Sequence, residues 1–185
     1  SDPRLPSRCS LSGMWIDCGP CVVRPYRPDD KGAIAREANN RKVSANLRDF
    51  FPSPYTEADA EGWVAYATAE TPMRNFAIEV DGAYPGGIGL KLQADTARLS
   101  AELGYWLGER FWGRGIATAA VRGFVPWAFG AFQLERIYAT PFHTNASSAR
   151  VLEKASFNRE GVMRRAALKD GVVLDLPLYA RLRGE

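Results

Sequence analysis

Apolar and polar residues follow two periods along the chain, a period of two in some stretches and a period near 3.6 in others. The first period predicts strands at 21–26, 75–80, 88–93, 100–107, 135–140, 157–164 and 171–182. The second predicts helices at 31–41, 57–68 and 116–129, and a further helix that starts at Asn145. Strands and helices therefore interleave without an internal repeat. This order predicts one α/β domain in which helices cover both faces of a mixed sheet.

A glycine-rich turn joins the predicted strand at 100–107 to the helix that begins at Ile116. Gly113 and Gly115 allow the backbone to turn sharply and to approach a ligand closely. The first N–H groups of a helix have no partner within it, and the helix dipole favours negative charge there. Arg110 and Arg114 add positive charge to the same turn. The turn is therefore predicted to bind a phosphate or pyrophosphate group.

Two common phosphate-binding motifs fit this turn poorly. A P-loop has Lys followed by Ser or Thr where this chain has Arg114 and Gly115, so the hydroxyl that holds the metal ion is missing. A dinucleotide-binding motif would have Gly or Ala at position 118, which is Thr118. A nucleotide triphosphatase and a dinucleotide-dependent enzyme are both disfavoured by these residues.

The turn is similar instead to the acyl-CoA pyrophosphate motif of the GNAT superfamily of N-acetyltransferases. That motif places Gly three residues after Gln or Arg, and Gly or Ala two residues later. Arg110, Gly113 and Gly115 have this spacing, and Ala117 follows.

The segments on either side of the turn strengthen the resemblance. The sequences AELGYWL at 101–107 and NASSARVLEKASF at 145–157 resemble the RimJ/RimL-like branch of ribosomal-protein N-terminal acetyltransferases. The likeness is close from about Ala101 onwards and loose before it. Ser156 stands where this branch usually has glycine, which bears on how the last helix ends.

This resemblance implies a fold and an activity. The fold is a single GNAT domain with a mixed, mostly antiparallel sheet of six to seven strands flanked by about four helices. Residues 21–185 would form the N-acetyltransferase domain, and residues 1–20 an N-terminal lead-in that is partly disordered or derived from cloning. The activity is transfer of an acetyl group from acetyl-CoA to a primary amine, by direct attack in a ternary complex and without a metal ion. A protein N-terminus and a small molecule both remain open as the source of the amine, and longer acyl donors remain open too.

The resemblance also assigns roles to individual residues. Glu102 would be the general base, acting directly or through water, and Ser148 would give a proton to the leaving thiolate. The other expected contacts are with CoA, and Asn145 would both cap its helix and touch CoA. The full set of expected CoA-binding residues is Tyr105, Trp106, Leu107, Arg110, Phe111, Trp112, Gly113, Arg114, Gly115, Ala117, Asn145 and Ser148. In the family the pantetheine arm pairs with the strand, which implicates the backbone of Tyr105, Trp106 and Leu107.

Purely structural roles for the two catalytic candidates remain open on the residues alone. Glu102 is the one carboxylate in an otherwise apolar strand, where it could serve only as a hydrogen-bonding group. Ser148 could bond to a carbonyl of its own helix. A non-catalytic acyl-CoA-binding regulatory module is therefore the alternative function.

Composition excludes several other classes. The 185 residues suit one domain, and the net charge of +3 is too small to indicate nucleic-acid binding. The chain has no apolar run of about eighteen residues, so no membrane span is predicted. The N-terminus is polar and has no apolar segment typical of a secretory signal. These features favour a cytoplasmic enzyme whose partners are acyl-CoA and an amine acceptor, and they leave homodimer formation open.

The cysteines are Cys9, Cys18 and Cys21, and the last two form a Cys-x-x-Cys pair like that of thioredoxins. In thioredoxins the first Cys lies at a helix N-terminus, which lowers its pKa. Here the pair precedes a predicted strand, and two thiols are too few for a closed zinc site. The pair is therefore predicted to form a turn into that strand. Whether its two thiols form a disulfide is left open.

Overall fold

The computed structural model describes residues 14–185. In this part of the chain the strands are β1 Ile16–Asp17, β2 Val22–Arg24, β3 Asn75–Val80, β4 Ala83–Leu92, β5 Ser100–Leu107, β6 Arg136–Ala139, β7 Asn158–Lys169 and β8 Val172–Leu182. The α-helices are α1 Lys31–Ala38, α2 Arg41–Ser44, α3 Glu57–Ala69, α4 Ile116–Ala131 and α5 Ala146–Lys154. Cys9 and residues 1–13 of the expected lead-in lie outside the described residues.

The strands form one mixed sheet in the order β1-β2-β3-β4-β5-β6-β8-β7. Only β5 and β6 are parallel, and every other neighbouring pair in the described sheet is antiparallel. The predicted α/β class is therefore confirmed. The described sheet has eight strands where the resemblance implied six to seven, since the short β1 pairs with β2 ahead of the first predicted strand.

Helix α1 ends earlier than predicted because asparagines interrupt it. The chain leaves the helical conformation at Asn39, and the side chain of Asn40 then accepts a hydrogen bond from the Lys42 N–H group at 2.9 Å. Asn40 is thus the N-cap of the separate short helix α2. The single predicted helix at 31–41 is therefore wrong in its last residues.

Strand β4 begins earlier than the predicted start at Ile88. Asp81 and Gly82 both have positive φ angles, 49° and 76°, as a two-residue hairpin turn requires. The chain therefore re-enters the sheet at once. Gly86 lies within this strand, and a Cβ atom there would sit 1.9 Å from the Trp106 carbonyl oxygen, so only glycine fits the close approach of β5.

The helices divide between the two faces of the sheet. Helices α4 and α5 cover one face, where the larger core cluster centres on buried residues such as Phe76, Phe124 and Leu152. Helices α1 and α3 cover the other face around Ile34, Ala60 and aromatic side chains. Burial of apolar surface on both faces stabilises the sheet between them.

Ser156 ends helix α5 in the left-handed conformation, with a φ angle of 66°. This is the conformation that glycine adopts readily at helix ends. The chain therefore turns out of α5 at this position despite the serine.

Strands β5 and β6 pair only over a short length. The register joins Ser100–Glu102 to Arg136–Tyr138, but β5 continues to Leu107 while β6 ends at Ala139. The segment 103–107 of β5 therefore has a strand partner on its β4 side alone. This divergence leaves an opening in the sheet beside Tyr105 and Leu107.

Candidate active site

The turn after β5 exposes a run of backbone N–H groups at the start of α4. Gly113 and Gly115 have φ angles of 72° and 74°, in the left-handed region that favours glycine. Within residues 14–185 the N–H groups of 113–118 have no hydrogen-bond partner, whereas Ala119 donates to the Gly115 carbonyl at 3.0 Å. A Cβ atom on either glycine would meet no atom within 4 Å, so the turn is open and not filled by side chains. Such a run of free donors at a helix N-terminus suits an anion.

The two arginines of the turn differ in their surroundings. Arg110 forms an ion pair with the buried Glu37 of α1 at 2.5 Å, so a carboxylate already offsets its positive charge, while its expected contact with CoA stays a prediction. Arg114 has no acidic partner within 4 Å in the described part of the chain. Both guanidinium groups lie over the ring of the buried Phe111, at 4.7 Å and 5.5 Å from its centre. Arg114 is therefore the arginine whose charge is available to an anion.

Contacts with helices α1 and α2 hold the turn in place. Glu109 accepts a hydrogen bond from the Asn40 side chain at 2.8 Å and forms an ion pair with Lys42. The Trp112 indole N–H donates to the Leu107 carbonyl at 2.9 Å. These bonds fix the turn without using the N–H groups that follow it.

The free edge of β5 presents backbone groups of alternate residues. Gly108, directly after β5, donates to the Pro85 carbonyl of β4 at 2.7 Å. Because backbone groups alternate in direction along a strand, Trp106 also points its N–H and C=O groups at β4. Tyr105 points its N–H and C=O groups towards the side that β6 leaves open, and Leu107 points its N–H group there while its carbonyl accepts the Trp112 indole N–H. The Trp106 backbone pairs with β4 and so does not face this open side, where its expected contact with CoA would have to form.

Helix α5 brings Ser148 to the opening. The Asn145 side chain accepts a hydrogen bond from the Ser148 N–H group at 3.1 Å, which confirms the predicted N-cap. The Ser148 hydroxyl lies 2.6 Å from the Tyr105 hydroxyl, and no bond joins it to a carbonyl of its own helix. In the described contacts Ser148 therefore does not make the alternative bond to a carbonyl of its own helix.

The Tyr105 hydroxyl is a group that sequence reasoning missed, since only its backbone was assigned a role. Burial raises the pKa of Tyr105 to about 12, although the hydrogen bond with Ser148 lowers it. The phenol therefore stays protonated at neutral pH. Tyr105 and Ser148 together form a pair of hydroxyls, one of which can donate a proton outwards while the other replaces it.

Glu102 lies on the face of β5 opposite to that of Tyr105, because residues three apart in a strand point to opposite faces. Its Oε1 atom accepts a hydrogen bond from the Thr140 hydroxyl at 3.0 Å and forms an ion pair with Arg48. Arg48 also donates to the Thr140 hydroxyl at 2.9 Å. Glu102 and Ser148 are thus separated by the plane of the sheet, and the divergence of β5 from β6 directly follows Glu102.

A cavity of about 440 Å³ opens on the Glu102 face. It is lined by Arg48, Glu102, Arg136, Tyr138, Thr140, Met163, Leu176 and Leu178. Beside Glu102 on the same face is Gly104, where a Cβ atom would meet nothing within 4 Å. The cavity therefore has open space next to it along β5. Sequence reasoning missed Arg48 and Thr140 because both are far from Glu102 in the chain and contact it only in the folded protein. Arg48 also lies in a loop that has no periodic pattern.

The geometry can be compared with known proteins. A protein-family model described as an acetyltransferase (GNAT) domain matches residues 21–158. The chain belongs to the GNAT acetyltransferase family. The divergent strands and the open glycine turn described above are therefore features of a GNAT chain.

Relatives and solved structures agree with this family. The "Putative ribosomal N-acetyltransferase YdaF" of Bacillus subtilis (strain 168) is 35% identical over 105 residues, which is 57% of each chain. The chain spans about half the length of the curated relatives that it matches first. The structure of Mycobacterium smegmatis RimJ in complex with CoA-disulfide has a TM-score of 0.78 at 29% identity, covering 92% of this chain and 86% of that one.

A second solved structure is similar in fold alone. RimL, a ribosomal L7/L12 alpha-N-protein acetyltransferase in complex with coenzyme A, has a TM-score of 0.81 at 19% identity. The match covers 91% of this chain and 98% of that chain.

In residues 14–185 no helix has the length and apolar character needed to cross a membrane.

Proposed function

We propose that this GNAT chain is an acetyl-CoA-dependent N-acetyltransferase that acts on a primary amine in a ternary complex. The observation that carries the proposal is the presence of two sets of free backbone donors, one on β5 and one in the turn that follows it. The first set is the N–H groups of Tyr105 and Leu107, and the second is the N–H groups of 113–118 at the start of α4. A pantetheine arm with a pyrophosphate at one end needs donors in this arrangement. We also propose that residues 21–185 form the catalytic domain, in the cytoplasm.

The residues of the turn fit the pyrophosphate of CoA. The free N–H groups would bind its oxygens, and the Arg114 guanidinium would add charge. Gly113 and Gly115 carry no side chain and have no atom within 4 Å of where a Cβ would lie, so phosphates could approach the backbone there. Phe111 and Trp112 would hold the shape of the turn, while Ala117 and Asn145 lie at the starts of the two helices that flank the opening.

Proton transfer on the thiol side would use Ser148 and Tyr105. Attack of the amine nitrogen forms the new C–N bond and breaks the C–S bond, so the leaving thiolate needs a proton. The paired hydroxyls, 2.6 Å apart, provide one from the face of the sheet that α5 covers. The free N–H of Tyr105 or Leu107 is a main-chain donor for the carbonyl oxyanion, which no side-chain substitution would remove.

Proton transfer on the amine side would use Glu102. One of its oxygens is held by Thr140 and Arg48, and the other has no partner among residues 14–185. The amine must lose a proton before or during attack, and Glu102 would accept it directly or through water. The N-terminal α-amine of a peptide, with a pKa of about 7.7–8.0, needs less help at neutral pH than a lysine amine near 10.4. The alternative function, a regulatory module that binds acyl-CoA without turnover, would leave both proton-transfer groups unused.

A pair of glycine variants tests CoA binding at the turn. We expect Gly115→Glu to reduce CoA affinity at least about 100-fold, because it places a carboxylate where the phosphates bind. Gly130→Glu is the matched control, since Gly130 lies at the exposed far end of α4 and should leave affinity unchanged. Titration calorimetry with CoA measures both. Equal affinity in the two variants would contradict the proposed pyrophosphate site.

A thiol-release assay with acetyl-CoA tests catalysis. We expect release to depend on an added primary amine and to fall in Ser148→Ala without a matching loss of CoA affinity. Tight CoA binding with no amine-dependent release across α-amines, polyamines and aminoglycosides would favour the regulatory module.

A further inference from the structure

We propose that the acceptor is a small α-amino acid with a free carboxylate and an apolar side chain, bound by Arg48 and Glu102. This inference rests on the proposed acetyltransferase function and names its substrate class. It follows from the cavity on the Glu102 face, where one cation and one anion lie in contact and both keep unused hydrogen-bonding atoms.

Arg48 has donors that the protein does not use. Its Nη2 atom bonds to Thr140 and Glu102, but its Nε and Nη1 atoms have no partner among residues 14–185. About half of the side chain is exposed, and it lines the cavity. A guanidinium group presents its N–H groups as a planar fork that matches the two oxygens of a carboxylate. Arg48 can therefore hold Glu102 and receive a carboxylate at the same time.

Glu102 offers the complementary atom. Its Oε1 is engaged by Arg48 and Thr140, and its Oε2 has no partner in the described part of the chain. In an α-amino acid the amine and the carboxylate are attached to one carbon atom. The adjacent Glu102 and Arg48 therefore match both charged groups of such a ligand, with the amine directed to the proposed base. Opposite charges arranged in this way select a zwitterion over a ligand with one sign of charge.

The remaining cavity lining disfavours a polyamine. Arg136 in the lining is already paired with both oxygens of Glu160, at 2.8 Å and 2.5 Å. Among the cavity lining, a polyamine would therefore find one free carboxylate oxygen, on Glu102, and no second free anion for its other amines. The apolar part of the lining includes Met163, Leu176 and Leu178. An apolar side chain can be buried there, and the cavity volume of about 440 Å³ suits a small molecule.

A protein N-terminus would bind Arg48 and Glu102 less strongly than a free amino acid would. In a polypeptide the first residue carries a peptide carbonyl in place of the carboxylate, so the Arg48 fork would face a neutral group. Hydrogen bonds to a charged partner are about twice as strong as neutral ones. The carboxylate is therefore the group whose contribution an experiment should isolate.

The test compares L-leucine with L-leucinamide as acceptors in the acetyl-CoA thiol-release assay. We expect kcat/KM for leucine to exceed that for leucinamide by about 10- to 100-fold, as a charge-assisted contact suggests. The amide has the more easily deprotonated amine, so basicity alone would give the opposite order. Arg48→Met should remove the preference, whereas the matched control Arg98→Met, in an exposed loop outside the cavity lining, should keep it.

Three results would overturn the inference. The first is equal or better turnover of the amide or of a leucine-initiated peptide by the unmodified chain. The second is an Arg48→Met variant that loses activity on acid and amide alike, which would make Arg48 a positioning residue for Glu102. The third is leucine binding to the CoA-loaded chain that Arg48→Met leaves unchanged in calorimetry. The calorimetric measurement tests the amino-acid site independently of catalysis. The absence of thiol release with every amine would instead refute the proposed acetyltransferase function.

Discussion

Replacement of Gly123 by alanine tests how the β1–β2 hairpin packs on helix α4. A Cβ atom at this position would lie 2.5 Å from the Cys18 sulfur, and 3.4 Å from the Ile16 Cγ2 atom. Carbon atoms pack at about 3.5–4.0 Å, so the added methyl overlaps the sulfur by roughly 1 Å. The Cys18 side chain is short and its thiol bonds to the Ile16 carbonyl, so the sulfur has little room to move.

Two opposing free-energy terms decide the sign of the effect. Alanine in a helix interior is favoured over glycine by about 1 kcal/mol. Overpacking of one methyl group in a tight site costs about 1–3 kcal/mol. Because the overlap is with an atom that cannot withdraw easily, we expect Gly123→Ala to lower the free energy of unfolding by about 1 kcal/mol or more. In a Cys18→Ala background the overlap disappears, and the same change should stabilise by up to about 1 kcal/mol.

Equilibrium urea unfolding, followed by circular dichroism, measures these differences. Gly130→Ala is the matched control, since Gly130 lies in the same helix and its added Cβ would meet no atom within 4 Å. We expect the control to stabilise in either background. The packing explanation is refuted if Gly123→Ala is as stabilising as Gly130→Ala, or if Cys18→Ala does not reverse the sign.

Three further predictions concern the proposed chemistry. Tyr105→Phe should slow turnover about 10- to 100-fold if the hydroxyl relays a proton, and a rate equal to that of the unmodified chain would exclude the relay. Burial raises the pKa of Tyr105 to about 12, so its hydroxyl stays protonated through pH 10. A pH–rate profile should therefore show no loss of rate near pH 10 from ionisation of Tyr105. Arg114→Met should weaken CoA binding about three- to tenfold in calorimetry, with a smaller effect at high salt, and an unchanged affinity would place the phosphates elsewhere.

Only some of the candidate site residues around β5 could be predicted from the sequence. The turn at 108–115 could be recognised because its glycines, arginines and following helix are consecutive in the chain. The N-cap at Asn145 could be predicted for the same reason, since it and Ser148 lie in one short helical segment. The resemblance implicated the backbone of Tyr105, Trp106 and Leu107 together, because which of the three faces away from β4 depends on how β4 and β5 pair.

Local order along the chain was enough to specify the α/β class, most strands and the open glycine turn, because periodicity and turn residues act between near neighbours. Contacts between distant residues could come only from folding. Arg48 and Thr140 reach Glu102 across 54 and 38 positions, and Tyr105 reaches Ser148 across 43. No local pattern marks such pairs, since they form only when β5, the segment after β6, helix α5 and the loop after α2 come together in the fold. The physical reason is that hydrogen bonds and ion pairs are short-ranged, so their partners are chosen by the packing of the whole chain.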